Sequence, residues 1–333
     1  MINRIILLFT LSFLLAGCAQ DPELLTISFW NVENLFDLVD NPEKNDEEFA
    51  LNGRKNMTQE ILDLKLDHMS EVLTDLNADV LGLCEVENLD VLKLLNAHYT
   101  KRNYDIIHYE SPDSRGIDVA LLYDSKRLQV IDSKPISIAF DDGRPTRDIL
   151  YVRGESDGVD LHLFVNHWPS NYIGKELALP RRIKVAKVLR QEIDNILTGN
   201  PQAEILLMGD FNENPGDTAV HTVLNTALEQ DHLSNDPFTL WNAMGKFIGV
   251  ERGGTYVYRG HDSILDHVII SSGLLDDVGL AMVAESIRIN DAPKYRQQEG
   301  DYQGYPFRFW AGDNLLGGYS DHLAVSIQLQ NAD

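Results

Sequence analysis

The chain has 333 residues, 44% hydrophobic and 24% charged, enough apolar material for a large core in one or two domains. With 52 Asp+Glu against 28 Lys+Arg its formal net charge is −24. Such a surface repels polyanions over a Debye length and excludes a protein that coats nucleic acid through lysine and arginine.

The first element is an address. Arg4 precedes a largely apolar run from Ile5 to Leu15, which ends in Leu15-Ala16-Gly17-Cys18. A short positive region, a short apolar stretch and small residues before a cut site make a secretory signal. The run is too short to span a bilayer, which needs about 20 apolar residues. Leu-Ala-Gly-Cys resembles a bacterial lipobox, which implies loss of residues 1–17 and lipidation of Cys18. An ordinary signal peptide cut near Ala16 or Gly17 is the alternative. Lipid chains anchor without spanning. Ala19, not Asp, follows the cysteine, and by likeness to other bacterial lipoproteins the expected home is the outer membrane, facing the periplasm or the outside. Residues 18–23 form the lipidated cysteine and its tether, and 24–331 one domain, since no linker, repeat or low-complexity tract divides them.

Within that domain short β-branched or aromatic runs bounded by turn residues predict strands. The first covers 25–30. A polar loop follows over 41–56. Ile61, Leu62, Leu66, Met69, Val72, Leu73 and Leu76 recur at helical spacing. Strands are then expected over 80–84, 105–109, 117–123 and 161–166. Ile183, Ala186, Leu189, Ile193 and Leu197 mark a second helix, with Gly199 and Pro201 as its stop. Strands over 204–208, 264–270 and 323–329 complete the set. Residues 291–318 are weakly periodic and aromatic, either a functional loop or a surface flap. Many short strands with a few long helices predict packed sheets covered by helices.

One pattern repeats along this series: an apolar strand ends in an acid, an amide or a histidine. The strand-end residues are Asn31, Glu85, His167, Asp210 with Asn212, Asp266, and Asp321 with His322. A single charged residue there is usually a solvated tip. Six such sites gathered at one sheet rim would bring together carboxylates, two imidazoles and two amides. Hard oxygen ligands without a thiolate pair favour Mg²⁺, with Mn²⁺ or Ca²⁺ as substitutes, over zinc. Mg²⁺ keeps waters and binds substrate phosphate, leaving the other acids and histidines for proton transfer and charge stabilisation. These parts suit hydrolysis of a phosphate ester. No glycine-rich nucleotide-binding motif competes with that reading.

Five motifs carry a family resemblance: Phe29-Trp30-Asn31-Val32-Glu33-Asn34, Ala78 to Glu85, Gly209-Asp210-Phe211-Asn212, Leu265-Asp266-His267 and Tyr319-Ser320-Asp321-His322. In that order they resemble the endonuclease/exonuclease/phosphatase family, over nearly the whole chain after the tether. The resemblance implies a four-layer α/β/β/α sandwich, two packed mixed β-sheets flanked by helices, with the site at one rim. It implies Glu85 as the principal Mg²⁺ ligand beside Asn31, and Asp321 as a second ligand. Asp210 would orient or activate water, Asn212 would hold the phosphate, and His322 would pair with Asp266 and act at the phosphate. His167 would contact the phosphate from the other side.

Weaker assignments remain two-sided. Glu87 competes with Glu85, and Asn34 with Asn31. Asp118 orients His167 or is an exposed strand residue; Arg147 binds substrate phosphate or is a plain surface arginine. Asn171 is a weak candidate for substrate binding. His267 and His162 are expected to face away from the site, into packing for His267. Cys84, inside an apolar run, reads as a small buried hydrophobe. The expected partner is a phosphoester, nucleic acid first, cleaved by a monomer that meets the membrane through its lipid anchor alone. A phospholipid or inositol phosphate substrate is the alternative, and a non-catalytic surface-binding lipoprotein the second.

Overall fold

Period-two alternation in the strands and helical periodicity outside them sort the apolar side chains into three buried layers. The computed structural model describes residues 24–233 and 236–332. The predicted signal sequence, Cys18 and its tether lie outside the described residues.

In chain order the first half contains β1 (Leu25–Leu35), α1 (Gln59–Leu76), β2 (Val80–Val86), α2 (Leu89–His98), β3 (Asp105–His108) and β4 (Asp118–Tyr123). Then come β5 (Gln129–Ile136), β6 (Ile149–Ser156), β7 (Val159–His167), α3 (Lys175–Gly199), β8 (Glu204–Asp210), β9 (Thr226–Ala227) and β10 (Leu240–Asn242). A hairpin of β11 (Tyr256–Tyr258) and β12 (His261–Ser263) precedes β13 (Asp266–Ile270), β14 (Leu280–Met282) and β15 (Arg288–Ile289). A second hairpin, β16 (Trp310–Ala311) and β17 (Asn314–Leu315), leads to β18 (Val325–Asn331).

Two seven-stranded sheets result. One has the order β14-β18-β1-β2-β4-β3, with β15 also on β18; the other runs β5-β6-β7-β8-β13-β10-β9. Both mix parallel and antiparallel pairs. The alternation along β8 shows how they pack: Leu206 and Met208 join the core between the sheets, while Ile205 and Leu207 join the core under α3. In β2, Val80 and Cys84 face the other sheet, while Leu81 and Leu83 face α1 and α2. The layers are therefore helix, sheet, sheet, helix, as the sequence predicts. Cys84 is fully buried in the middle core.

Helix ends follow local chemistry. The Thr58 hydroxyl accepts from Ile61 N at 3.3 Å and the Asn88 side chain from Val91 N at 2.8 Å, capping α1 and α2. Asn77 closes α1 in the left-handed region with φ 43°. Among the described residues no helix is long and apolar enough to cross a membrane.

Strand direction positions the site. β1 and β2 run parallel, so Asn31 and Glu85 emerge at one rim. β7 and β8 also run parallel, and their register sets His167 beside Asp210. β13 runs antiparallel to β8 and begins at that rim, with Asp266 opposite Asp210. β18 runs antiparallel to β1, so the turn before it, with Asp321 and His322, lies at the same end.

Candidate active site

Two bulges aim the first acids. Pairing of β1 with β2 shifts between Asn31 and Leu35, where Glu33 and Asn34 have φ of 55° and 59°. Pairing of β2 with β4 shifts between Cys84 and Val86, where Glu85 has φ 61°. A bulge redirects a side chain and resets the alternation after it, and Val86 accordingly packs on the helix side with Leu83. Left-handed backbone at a non-glycine residue costs energy and persists where surrounding contacts impose it. Here Asn34 N donates to Glu85 Oε2 at 3.1 Å, one bulge holding the other. Glu87, the competing acid, accepts from Asp37 N at 2.7 Å instead.

At the centre lies Asp210, 2% exposed. Its Oδ2 accepts from Asn31 Nδ2 at 3.2 Å, and its Oδ1 from Asn212 N at 2.9 Å. His167 Nε2 lies 3.8 Å from Asp210 Oδ2 and 3.9 Å from Glu85 Oε1. His322 Nε2 lies 3.9 Å from Asp210 Oδ2, and its Nδ1 is 2.7 Å from Asp266 Oδ2. The backbone at Asp266 is held in turn by its amide, which donates to Thr255 Oγ1 at 3.2 Å. The turn carrying His322 is fastened to β1: Ser320 Oγ donates to Asn31 O at 2.7 Å, and Trp30 Nε1 to His322 O at 3.1 Å.

The electrostatics split the two histidines. Burial, reinforced by Arg147, Arg115 and His322, holds His167 well below the usual imidazole range. Burial also opposes charge on His322, but the carboxylates of Asp266, Asp210 and Asp321 outweigh it and raise this group well above that range. Asp210 is pushed up to about 7, by burial first; Asp266 and Glu85 add to this, while His322 and Asn212 N oppose it. That is a carboxylate poised near neutral pH, beside one neutral and one cationic imidazole.

The residues fit a divalent cation. Asp210, Asp266 and His322 offer ligand atoms that lie within 4.8 Å of one another. Asp266 Oδ1 and His167 Nδ1 are buried without a hydrogen-bond partner. The His322–Asp266 hydrogen bond already occupies two members of that trio, so the oxygens of Glu85 and Asn31, beside Asp210, form the better hard-ion set. Asp321, the second ligand the resemblance implies, forms an ion pair with Arg308 Nη2 at 2.5 Å.

Four assignments change. Asp118 is 1% exposed and does not orient His167: its carboxylate accepts from His108 Nε2 at 3.1 Å and Ser111 N at 2.9 Å. Arg147 is no plain surface arginine. It is 7% exposed and donates to Asp113 Oδ2 at 3.0 Å and Trp168 O at 2.7 Å, so it backs His167 and discourages a proton there. Asn212 and Asn171 tie loops together: Asn212 Nδ2 donates to Trp168 O at 3.1 Å, and Asn171 Nδ2 to Asn212 O at 3.0 Å. As expected, His267 faces packing, bonded to Asn242, Glu213 and Ile264, and His162 pairs with the Tyr151 hydroxyl.

Sequence reasoning missed Tyr256, Arg308, Glu33 and Lys65. The Tyr256 ring packs on His322 with centroids 4.9 Å apart. Buried Glu33 accepts from the amides of Phe309 and Trp310 at 2.6 and 2.9 Å, and Lys65 Nζ donates to Val32 O at 2.6 Å. The one available signal was the aromatic character of residues 291–318, a run with no periodicity to place it.

A sequence model described as the Endonuclease/Exonuclease/phosphatase family matches residues 26–331. No curated protein matches the chain. Among solved structures, a Bacteroides thetaiotaomicron endonuclease/exonuclease/phosphatase family protein is 16% identical with a TM-score of 0.57, over 93% of this chain and 98% of that one. D. rerio TDP2 complexed with a single-strand DNA product is 16% identical with a TM-score of 0.56, over 92% and 99%. The human Nocturnin catalytic domain with bound sulfate is 15% identical with a TM-score of 0.54, over 92% and 94%. At such identity these likenesses speak for the fold.

Proposed function

The chain belongs to the endonuclease/exonuclease/phosphatase family, a family of metal-dependent phosphoesterases, and from that premise we propose that it is a Mg²⁺-dependent endonuclease or phosphodiesterase acting outside the cytoplasm. The observation that carries this reading is Asp210 set between a cationic His322 and a neutral His167, with Glu85 and Asn31 alongside. The chemistry is a single in-line displacement: the water oxygen bonds to phosphorus, the P–O ester bond opposite breaks, and the departing oxygen takes a proton from solvent. Asp210 orients the water and takes its proton, which suits a carboxylate pushed up to about 7. His322, held charged by Asp266, neutralises charge growing on a phosphate oxygen, and His167 offers its Nε2 from the other side. Asn212 holds the Asp210 carboxylate in place, its backbone amide donating to Asp210 Oδ1. Glu85 and Asn31 would hold the divalent ion, with Mn²⁺ or Ca²⁺ as substitutes. When bound, that ion supplies Lewis-acid polarisation of the phosphate.

Nucleic acid is the first substrate to try, and the DNA product in the D. rerio TDP2 structure supports that order. The Leu15-Ala16-Gly17-Cys18 run supports export and anchoring through a lipidated Cys18 in the outer membrane; loss of fatty-acid labelling in Cys18→Ala would check it. Such an anchor would also bring the site to phospholipids. The test is hydrolysis of plasmid DNA, sphingomyelin and inositol phosphates, each with Mg²⁺ and with EDTA. DNA cleavage lost in EDTA supports the proposal. Headgroup release alone moves the substrate to lipids, activity that survives EDTA removes the metal, and silence on all three leaves a binding protein.

A further inference from the structure

The long segment between β15 and β18 is bolted to the catalytic rim at Glu33 as well as through Ser320 and His322. Phe309 and Trp310, 1% and 5% exposed, give their backbone amides to Glu33, two residues beyond Asn31. Helix α1 supports the same segment. Lys65 Nζ donates to Tyr319 O at 3.1 Å and sits 4.7 Å from the Phe309 ring centroid, while the hydroxyls of Tyr319 and Tyr295 reach Glu71 and Asp75 at 2.8 and 2.7 Å. These anchors fix the backbone immediately after Arg308. That side chain then lies against Asp321, the neighbour of His322, at 2.5 Å.

The arginines near this rim differ in what they have left to offer. Arg147 and Arg296 are buried and point their guanidinium ends at Asp113 and Trp168 O, and at Asp291, Gly304 O and Arg252 O. Arg308 has a side chain 38% exposed, and among the described residues its one hydrogen bond is Nη2 to Asp321. A guanidinium carries five N–H donors, so this half-buried side chain keeps donors beyond the one given to Asp321. Its partner Asp321 adjoins His322 in sequence, and among the described residues Arg308 forms no ion pair with Asp210 or Asp266, the residues at the reacting centre. Arg115 and Arg147 supply positive charge on the opposite flank, beside His167.

We propose that Arg308, held by Asp321 and by the Glu33-anchored segment, binds a second phosphate of the substrate, next to the scissile one on the His322 side. This deepens the phosphoesterase reading and rests on it. It assigns the site to substrates with neighbouring phosphates, a polynucleotide or a pyrophosphate, over esters of a lone phosphate. Arginine suits the task because its fork matches phosphate oxygens in pairs, and a chain of net charge −24 needs such local cations to hold a polyanion.

The test compares the full chain with Arg308→Gln and Arg308→Lys, in Mg²⁺, on a short single-stranded oligonucleotide and on bis(p-nitrophenyl) phosphate, which has one phosphorus. Arg308→Gln should raise KM on the oligonucleotide on the order of tenfold, the scale of one charge-assisted contact. Its kcat should change little, KM on the single-phosphate diester should hold, and Arg308→Lys should fall between. An equal KM rise on both substrates, or none on the oligonucleotide, overturns the assignment; unchanged thermal melting guards against misfolding. Should the wild type cleave neither substrate, the hydrolase reading fails and calorimetry decides this inference instead. Tighter binding of inorganic pyrophosphate than of inorganic phosphate, lost in Arg308→Gln, upholds it, and an unchanged preference defeats it.

Discussion

His167 and His322 flank one carboxylate oxygen, Asp210 Oδ2, at 3.8 and 3.9 Å. The two imidazoles share burial but not company. Arg147 and Arg115 stand by His167, while Asp266 and Asp210 stand by His322. One ring is thereby kept neutral and the other charged, and the same carboxylate can work with both. Removing the charge of either central group should therefore cut turnover heavily. A well-placed electrostatic donor contributes about 3–4 kcal/mol to a barrier, so His322→Ala and Asp210→Asn should each lower kcat at least about a hundredfold. Initial rates, with circular dichroism to confirm folding, would measure this. Near-normal turnover in either folded variant removes that residue from the mechanism.

The Asp266–His322 contact makes a prediction about pH. Burial alone lowers the His322 pKa; the nearby carboxylates reverse that, with Asp266 foremost among them. Activity that needs the protonated ring is complete below its pKa and is lost as pH rises through it. Asp266→Asn keeps a hydrogen-bonding side chain but removes the charge, so the alkaline limb of the kcat/KM profile should move to lower pH. A limb that stays in place would mean that Asp266 does not set the charge of His322.

The rim was legible in the sequence because the apolar runs of β8, β1 and β2 each end in a polar residue. That signal failed one residue later. Nothing in the local sequence marks the left-handed backbone at Glu85, φ 61°, which separates it from Glu87. Asp118 was misplaced because its partner, His108, comes from the neighbouring strand β3, a pairing that only the β3–β4 register reveals. The apolar period marks α3 only from Ile183, whereas the helix begins at Lys175 and carries Pro180 inside it, a residue that ordinarily interrupts helices. Arg308 escaped notice because its segment is ordered by Glu33 and α1, far away in sequence, and so carries no period of its own.

Gly209 decides whether His167 and Asp210 can meet. A Cβ there would run into the backbone oxygen and the Cβ of Asn166, and would lie 2.9 Å from its carbonyl carbon. Asn166 is also its register partner, one step before His167 meets Asp210. Backbone cannot swing aside as a flexible side chain does, so Gly209→Ala should force β7 and β8 apart. The expected cost is about 1–3 kcal/mol or more, typical of overpacking, together with a loss of turnover out of proportion to it. Chemical denaturation and initial rates on the same preparation would separate the two effects. A variant as stable and active as the wild type would show that the strands do not depend on this close approach.

At the far end of the same strand, Glu204 gives a stability prediction independent of catalysis. Its Oε1 accepts from Leu280 N at 3.0 Å, while its Oε2 is buried with no partner. Burial is the main cause that pushes the carboxyl up to about 8, with Asp276 adding to it and Leu280 N opposing it. Below pH 4.5 the folded and unfolded chains both hold this proton, and the site does not disfavour folding. Between 4.5 and about 8 the unfolded chain has released it and the native chain has not, so stability falls as pH rises across that window. Glu204→Gln keeps an acceptor for Leu280 N and removes the titration. It should raise the melting temperature at pH 8 by on the order of 2–4 °C, equivalent to about 1 kcal/mol in a domain of this size, and should give no gain at pH 4. Thermal melts of both proteins across that pH range would measure it. Equal melting temperatures at pH 8 would mean that the carboxylate finds water or a cation there, and that its burial does not hold the proton.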